Sequence, residues 1–293
     1  MVGFGEAIAH GAATIVNAIS IGRGAAFGVD LWTKARVQLT RIPRQIEGKI
    51  LSDPDEDPAL LQEIVSTVLR YFHLEDKFGA LAETESNIPI AKGLKSSSVA
   101  SNAVVLATVG ALGRQIDDFT AINLGIDASL EAKATITGAF DDACASFFGN
   151  IVVTDNTARK VLHFAKIDED LTILLYVPKL KSYTITSDVA RMRLIAPQVD
   201  VAFTEALKGN YWTALTLNGL LYSAALNLDP KPAIDALEAG AVASGLSGKG
   251  PAIAAVVYAK NVNRVVKAWT AYDGEIIRGN VNRDKAKIMR NES

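Results

Sequence analysis

The run Gly93-Leu-Lys-Ser-Ser-Ser98 places a glycine and three consecutive hydroxyl side chains immediately before a helical pattern. Small and apolar residues recur at helical spacing from Ala100 to Ala107, so the serines are predicted to lie at a helix N-terminus. Unpaired N–H groups and the helix dipole favour an anion there, and hydroxyl groups can donate to phosphate or ligate Mg²⁺. The segment therefore predicts a phosphate cradle, with a serine-capped helix that binds no ligand as the alternative.

Two neighbouring carboxylates, Asp141 and Asp142, follow Gly138 in a predicted loop. Phosphoryl transfer requires positioning and charge neutralisation, with Mg²⁺ bridging phosphate oxygens and a carboxylate near the acceptor hydroxyl. The acidic pair could supply that carboxylate, or it could be a solvated turn or a helix cap. A Walker loop is excluded, because Ser247-Gly-Lys-Gly250 departs from that pattern at its last position.

The composition is that of an ordinary globular protein. The chain has 293 residues, 49% of them hydrophobic, which is enough for one large domain or two modest ones. Lys and Arg total 30 against 32 Asp and Glu, without a dense basic run, so binding to nucleic acid or to a membrane surface is not expected. One cysteine, Cys144, and the absence of Lys or Arg before Arg23 predict a cytoplasmic protein without a signal peptide.

Hydrophobic periodicity predicts the elements that must position these residues. The first half is expected to contain several strands within residues 2–39, with turns at glycines 11, 22, 24 and 28, a charged loop at 53–58, a helix at 60–72, a strand at 78–85, helices at 97–112 and 118–135, strands at 151–153 and 161–165, and a turn at 156–159. The second half is expected to contain strands at 172–177, 253–258 and 275–281, and helices at 187–207, 211–226, 232–239 and 262–272.

Three segments resemble the motifs of the GHMP kinase superfamily, a group of small-molecule kinases. Pro89, three residues and Gly-Leu-x-Ser-Ser resemble the second motif of the family, Gly138 to Ser146 resembles the segment with the catalytic aspartate, and Ser244 to Pro251 resembles the third motif. They occur in family order at family-like spacing. Lys95 within the second motif, Thr137 to Ser146, and the segments 11–18 and 22–31 are similar to the archaeal-type shikimate kinase branch.

The resemblance implies an α+β GHMP kinase fold. The N-terminal half would be like domain 2 of ribosomal protein S5 and would carry the phosphate loop, the C-terminal half would be ferredoxin-like, and the halves would span residues 1–155 and 156–293. The implied activity is ATP-dependent phosphorylation of the shikimate 3-hydroxyl. A GHMP kinase for another small alcohol, such as homoserine or a mevalonate-like compound, and a non-catalytic nucleotide-binding regulator are the alternatives. The oligomeric state is left open.

The resemblance also implies roles for individual residues. Asp141 takes the catalytic position, where it would accept the proton or orient the hydroxyl, and Asp142 lies where relatives often have Asn. Ser97 and Glu131 are the implied Mg²⁺ ligands, and Thr14 and Asn17 lie in the segment where relatives bind the acceptor. The implied ATP-binding residues are Pro89, Gly93, Leu94, Lys95, Ser96, Ser97, Ser98, Val99 and Gly248.

The sequence leaves three questions about the site open. Lys95 departs from the glycine of most members, and it would either contact a phosphate or lie exposed in a loop. Mevalonate-type relatives carry a lysine in the first motif, whereas the segment Gly11 to Thr14 has none. Arg23 and Arg191 are among the candidates for the shikimate carboxylate.

Overall fold

The computed structural model describes residues 3–90, 92–179 and 188–289 and contains two β-sheets. The strands are β1 (Phe4–Val16), β2 (Arg23–Thr40), β3 (Ile46–Ile50), β4 (Gly79–Ser86), β5 (Ile151–Asp155), β6 (Lys160–Ala165), β7 (Leu171–Pro178), β8 (Ala243–Leu246), β9 (Ile253–Tyr258), β10 (Gly274–Asn280) and β11 (Lys287–Met289). The helices are α1 (Ala59–Tyr71), α2 (Ser96–Ala111), α3 (Asp118–Glu131), α4 (Phe140–Phe148), α5 (Val189–Leu194), α6 (Ala196–Leu207), α7 (Tyr211–Leu226), α8 (Lys231–Glu238) and α9 (Val262–Trp269).

The first sheet has the strand order β11-β1-β2-β4-β3, with β5 paired to another part of β2 and β6 paired to β5. Helix α2 packs against β1 and β2 and also contacts α1, α3 and α4. Its Ala- and Val-rich sequence suits this central place, because most of its residues are buried. Two buried polar side chains tie α2 to its neighbours: the Ser101 and Ser129 hydroxyls are 2.9 Å apart, and Asn102 Nδ2 donates to Ala143 O.

The second sheet has the order β10-β7-β9-β8, and all its pairs are antiparallel. One helical connection, α5 to α8, joins β7 to β8, and the other, α9, joins β9 to β10. This is the β-α-β-β-α-β arrangement expected of a ferredoxin-like half. Strands β6 and β11, although they follow residue 156, pair within the first sheet, and a domain boundary at residues 155 and 156 stays a prediction.

The turns predicted at the N-terminal glycines are largely wrong. Gly11, Gly24 and Gly28 lie inside two long antiparallel strands, and only Gly22 belongs to the connection between them. In a strand, a glycine can mark a close approach by other atoms rather than a turn, and a β-bulge lies beside Gly11.

Several other boundaries also differ from prediction. Helix α3 ends at Glu131 rather than near residue 135, and the predicted catalytic loop is the first turn of α4. Residues 189–207 form two helices that meet at Ile195, because Pro197 lacks the N–H that a continuous helix would need; Ser187, the predicted start, lies outside the described residues. Strands β3, β8 and β11 were not predicted. No helix in the described part of the chain is long and apolar enough to cross a membrane.

Candidate active site

A cavity of about 430 Å³ lies where the N-termini of α2 and α4 meet a glycine-rich loop. Residues 95–98 and the pair Asp141 and Asp142 line it, together with residues 248–250 between β8 and β9 and residues 132–139 after α3. The three segments that resembled family motifs therefore line one cavity, although the first and the last are about 150 positions apart in the chain.

The serines of the second segment occupy the first turn of α2. Lys95, in the left-handed conformation with φ of 66°, precedes the helix, and no side chain caps it. Ser96, Ser97 and Ser98 all line the cavity. The serine cap of the alternative interpretation is therefore absent, and the first N–H groups of α2 are left for an anion, whose binding stays a prediction.

Gly93 joins this turn to the loop after β8. Its φ is 82°, and a β-carbon there would lie 2.4 Å from the backbone oxygen of Ser247. The Ser247 hydroxyl donates to Gly93 O over 3.0 Å, and the N–H of Ala252 donates to Lys92 O over 3.0 Å. Only glycine fits this contact, because both the backbone conformation and the space exclude a side chain.

Thr14 and Asn17 hold Gly248 from the end of β1. The N–H of Gly248 donates to Thr14 Oγ1 over 2.9 Å, and Asn17 Nδ2 donates to Gly248 O over 2.9 Å. Asn17 lines the cavity, whereas the fully buried Thr14 does not. The resemblance implied that both residues lie where the acceptor binds, which stays a prediction; in the structure their side chains fix the glycine-rich loop.

Asp141 is buried in the first turn of α4, with 3% of its surface exposed. Asn156 Nδ2 donates to its Oδ1 over 2.7 Å, and the Thr154 hydroxyl donates to Asn156 Oδ1 over 2.7 Å. The other oxygen, Oδ2, lies over β2, where a β-carbon at Gly24 would come within 2.5 Å of it. Thr154 thus orients the side-chain amide of Asn156. The Asp141 carboxylate is held by that amide on one side and by the backbone at Gly24 on the other.

The electrostatic surroundings of Asp141 favour its protonated form. Burial, followed by the neighbouring Asp142 carboxylate, raises its pKa to about 7, against the opposing effects of the Lys95 ammonium and the Asn156 hydrogen bond. A carboxyl group with a pKa near neutrality can both accept and release a proton at physiological pH. This is the property required of a general base.

Lys95 forms a buried ion pair with Asp142, with Nζ and Oδ2 2.9 Å apart and side chains only 11% and 8% exposed. The exposed-lysine interpretation is therefore wrong. Removing either partner would leave the other charge buried and unpaired, which is strongly destabilising. The second oxygen of Asp142, Oδ1, has no hydrogen-bond partner among the described residues.

Lys249, between Gly248 and Gly250, also lines the cavity. Burial and the nearby Lys95 lower its pKa to about 8, while Asp142 acts in the opposite direction. No hydrogen bond or ion pair joins its side chain to another residue that the structure describes.

Some predicted site residues lie elsewhere. Glu131 is half exposed on α3 and pairs with Arg70 of α1 over 2.7 Å, so the structure does not bring its carboxylate to the cavity. Leu94 and Val99 are buried in the hydrophobic core, and Pro89 is not among the cavity residues.

The two arginines considered for a carboxylate ligand also lie outside the cavity. Arg23 is engaged by Asp200 at 2.7 Å. Arg191 donates to the amide oxygen of Asn227 over 2.7 Å, and no carboxylate pairs with its guanidinium among the described residues.

Comparison with known proteins agrees with this geometry. Residues 59–150 match the family model for the GHMP kinase N-terminal domain. Over 284 residues the chain is 44% identical to a shikimate kinase of Methanothrix thermoacetophila, covering 97% of this chain and 96% of that protein. It is 41% identical to a shikimate kinase of Pyrococcus furiosus, over 91% of this chain and 95% of that one. The chain belongs to the archaeal shikimate kinase family.

Solved structures confirm that this archaeal shikimate kinase family member has the GHMP kinase fold. The mevalonate kinase of Methanococcus jannaschii superposes with a TM-score of 0.76 at 18% identity, over 94% of this chain and 98% of that chain. A homoserine kinase from Cytophaga hutchinsonii gives 0.74 at 17% identity, over 99% and 98%. The N-terminal and C-terminal sheets therefore correspond to a fold shared by kinases of different acceptors.

Sequence reasoning missed three functional candidates of this family member. Asn156 was interpreted only as part of a turn, Asp142 only as the neighbour of Asp141 at a position where relatives often have Asn, and Lys249 only as part of the third motif and of a failed Walker pattern. The spacing of residues in the chain gives no signal for the contact of Asn156 with Asp141. For Lys249 the sequence did contain a signal. It lies between two glycines in a segment that resembles a phosphate-binding motif, so its positive charge stands beside backbone that a phosphate can approach.

Proposed function

We propose that the protein transfers the γ-phosphoryl group of ATP to the 3-hydroxyl of shikimate, giving shikimate 3-phosphate and ADP. The observation that carries this proposal is the 44% identity to a shikimate kinase over nearly both full lengths. The cavity supports it, because a buried carboxylate with a pKa near 7 faces the same space as an uncapped helix N-terminus. Homoserine and mevalonate kinases share the fold only, at 17–18% identity.

The residues of the cavity divide the chemistry between them. The α2 N-terminus with Ser96 to Ser98 would hold phosphate oxygens. Gly93 and Gly248, which also line the cavity, would keep the turn before α2 packed against the loop after β8. The apolar part of the cavity, with Ile50, Leu60, Ile122 and Ile126, would accept the base of the nucleotide.

Asp141 acts on the acceptor. Its carboxylate would take the proton of the 3-hydroxyl as that oxygen bonds to the γ-phosphorus and the bond to the bridging β–γ oxygen breaks, releasing ADP. The same position would allow it to orient the hydroxyl only. The buried pair of Lys95 and Asp142 fixes the N-termini of α2 and α4 relative to each other during this step.

The donor set of the cavity fits Mg²⁺. This ion commonly takes one or two protein oxygens together with phosphate oxygens and water. Ser97 supplies a hard oxygen at the phosphate turn, and the described residues contain no cluster of three His, Cys, Asp or Glu that would suggest a closed protein site. Bound Mg²⁺ would neutralise phosphate charge. Glu131 pairs with Arg70 and is not part of the proposed metal site. A cytoplasmic location remains a prediction from the single cysteine.

A coupled assay of ADP release with shikimate, homoserine, mevalonate and galactose tests the proposed function. Shikimate is expected to stimulate ATP consumption far more than the other alcohols. If another alcohol is preferred by a wide margin, the acceptor is wrong while the fold and the cradle stand. If none is phosphorylated, the non-catalytic regulator is favoured instead.

For Ser97→Ala we expect a folded enzyme that needs more Mg²⁺ to reach its maximal rate. The change removes an oxygen ligand without adding bulk, and losing even an outer-shell partner costs about 10–100-fold in metal affinity. A magnesium titration at saturating shikimate measures the midpoint. Ser98→Ala, which removes a hydroxyl assigned to phosphate and no metal ligand, is the matched control, and at saturating ATP it should leave the midpoint unchanged. An unchanged midpoint in Ser97→Ala would contradict the metal assignment.

For Asn156→Ala we expect the acid limb of the pH–rate profile to move to higher pH. The Asn156 hydrogen bond lowers the pKa of Asp141, so removing it stabilises the protonated carboxyl, and the active carboxylate forms only at higher pH. Thr154→Val, which frees the amide to rotate, should move the limb in the same direction. Profiles of kcat/KM between about pH 5.5 and 8.5 check this, and an unmoved limb with a reduced plateau would show that Asn156 serves packing alone.

A further inference from the structure

The backbone that carries Lys249 is held in place on several sides. Both peptide groups of Gly248 are bonded to Thr14 and Asn17 at the end of β1. The N–H of Ser247 donates to Ala252 O, and the N–H of Gly250 donates to Ser247 O, each over 2.9 Å. A side chain that leaves this loop towards the cavity therefore starts from a fixed position.

Among the residues that the structure describes, three lysines line the cavity, and their surroundings differ. Lys133 is exposed at the end of α3, and Lys95 is buried and paired with Asp142. Lys249 is partly buried and has no hydrogen bond or ion pair with a described residue. Of the two enclosed lysines among the described cavity residues, Lys95 forms an ion pair with a carboxylate and Lys249 does not.

The two enclosed lysines both line the cavity at the loop that contains Gly248. Lys95 Nζ is packed against the Gly248 backbone, since a β-carbon at that glycine would be 2.8 Å from it. Lys95 accordingly contributes to the lowered pKa of Lys249. Two positive charges that converge in a partly desolvated space repel each other, and an anion bound between them offsets that repulsion. The arrangement is that of a site completed by a polyphosphate.

We propose that Lys249 is a catalytic residue of this enzyme, whose ammonium contacts the terminal phosphate of the bound nucleotide and neutralises its oxygens during transfer. This inference rests on the proposed kinase activity. Charge that spreads over the transferred phosphoryl group is stabilised by cations already in place, and no reorganisation is then needed at the moment of reaction. Lys95, paired with Asp142, cannot move to this task without breaking its ion pair, whereas Lys249 has no hydrogen bond or ion pair with a described residue to break.

Charge replacement at position 249 tests the role in catalysis. Lys249→Met keeps the length and apolar stem of the side chain, and we expect kcat to fall by about 10²–10³-fold, as for the loss of one preorganised group at a developing anion, with little change in the KM for shikimate. Lys249→Arg should recover at least part of the loss, because it restores the charge. Lys267→Met, at an exposed lysine on α9 outside the cavity, is the matched control and should behave as the wild type.

Equilibrium binding of ATP without shikimate supplies a second measurement that does not depend on turnover. With a pKa of about 8 in the free protein, Lys249 is charged below that pH, so wild-type affinity for ATP should decrease as the pH rises above about 8. The affinity of Lys249→Met should be lower and flat over the same range. Asp141, with a pKa of about 7, has already lost most of its proton above pH 8. The other described ionisable groups that line the cavity are Lys95 and Asp142, which pair with each other, and Glu56, Asp57 and Lys133.

The outcomes separate the two proposals. Absence of shikimate phosphorylation by the wild type would overturn the proposed function, while the ATP titration would still test the contact. Normal turnover in Lys249→Met, or a wild-type affinity that does not change between about pH 7.5 and 9.5, would overturn the role of Lys249 alone. If Lys249→Met does not fold, the wild-type titration and Lys249→Arg decide.

Discussion

Asp141→Asn is expected to lower turnover by about 10²–10⁴-fold, the usual contribution of general base catalysis, while the affinity for ATP is retained. The amide has the shape of the carboxylate and can still accept the hydrogen bond from Asn156, but it cannot accept the proton of the acceptor hydroxyl. Separate measurements of kcat and of the equilibrium constant for ATP check both parts of the prediction.

A surface aspartate provides the control for this substitution. Asp76→Asn removes an exposed carboxylate that pairs with Arg44 and does not line the cavity, and it should leave turnover unchanged. Near-normal turnover in Asp141→Asn would exclude Asp141 as the catalytic group. A smaller loss with an unaltered pH profile would indicate that the residue only orients the hydroxyl.

Gly93→Ala is expected to weaken ATP binding by tenfold or more and to destabilise the fold. An L-residue in the left-handed region costs roughly 1–2 kcal/mol, and in addition the new β-carbon would lie 2.4 Å from Ser247 O and 2.9 Å from Gly250 O. Both oxygens belong to the backbone, so the contact between the two loops must open. If about 1.4 kcal/mol of this cost is lost from the binding free energy of ATP, the affinity for ATP falls tenfold.

The matched control separates the clash from the backbone conformation. Gly113 also has a positive φ, of 61°, and a β-carbon there would meet nothing within 4 Å. Gly113→Ala should therefore lose only the conformational part of the stability in a denaturant titration and bind ATP normally. Equal losses in the two variants would contradict the proposed contact between the phosphate turn and the loop after β8.

The parts of the site that could be predicted from sequence are those that local pattern encodes. The serines before an apolar helical repeat predicted the start of α2 within one residue, and the resemblance to family motifs placed Asp141 beside that turn. Strand β9 and helix α7 were predicted with the bounds that the structure has, because their apolar runs are bounded by clear breaks.

What could not be predicted depends on contacts between distant residues. Lys95 and Asp142 were both noted as departures from the family pattern, but only the fold shows that they pair with each other. Gly24 was interpreted as a turn residue. It is a glycine inside a strand because the Asp141 carboxylate, 117 positions away in the chain, occupies the space that a side chain would need. Glu131 was assigned to the metal from its position in the chain, and the direction of its side chain is set by Arg70 on another helix.

The short strand β11 has a consequence for synthesis of the protein. Its residues 287–289 pair with residues 6–8 of β1, so this edge of the first sheet is covered only after all the residues between the two strands have been translated. At about 5–20 residues per second this takes roughly 15–60 s, during which β1 presents an open edge that can pair with another nascent chain. Among the strands that the structure describes, the one translated last therefore protects the one translated first.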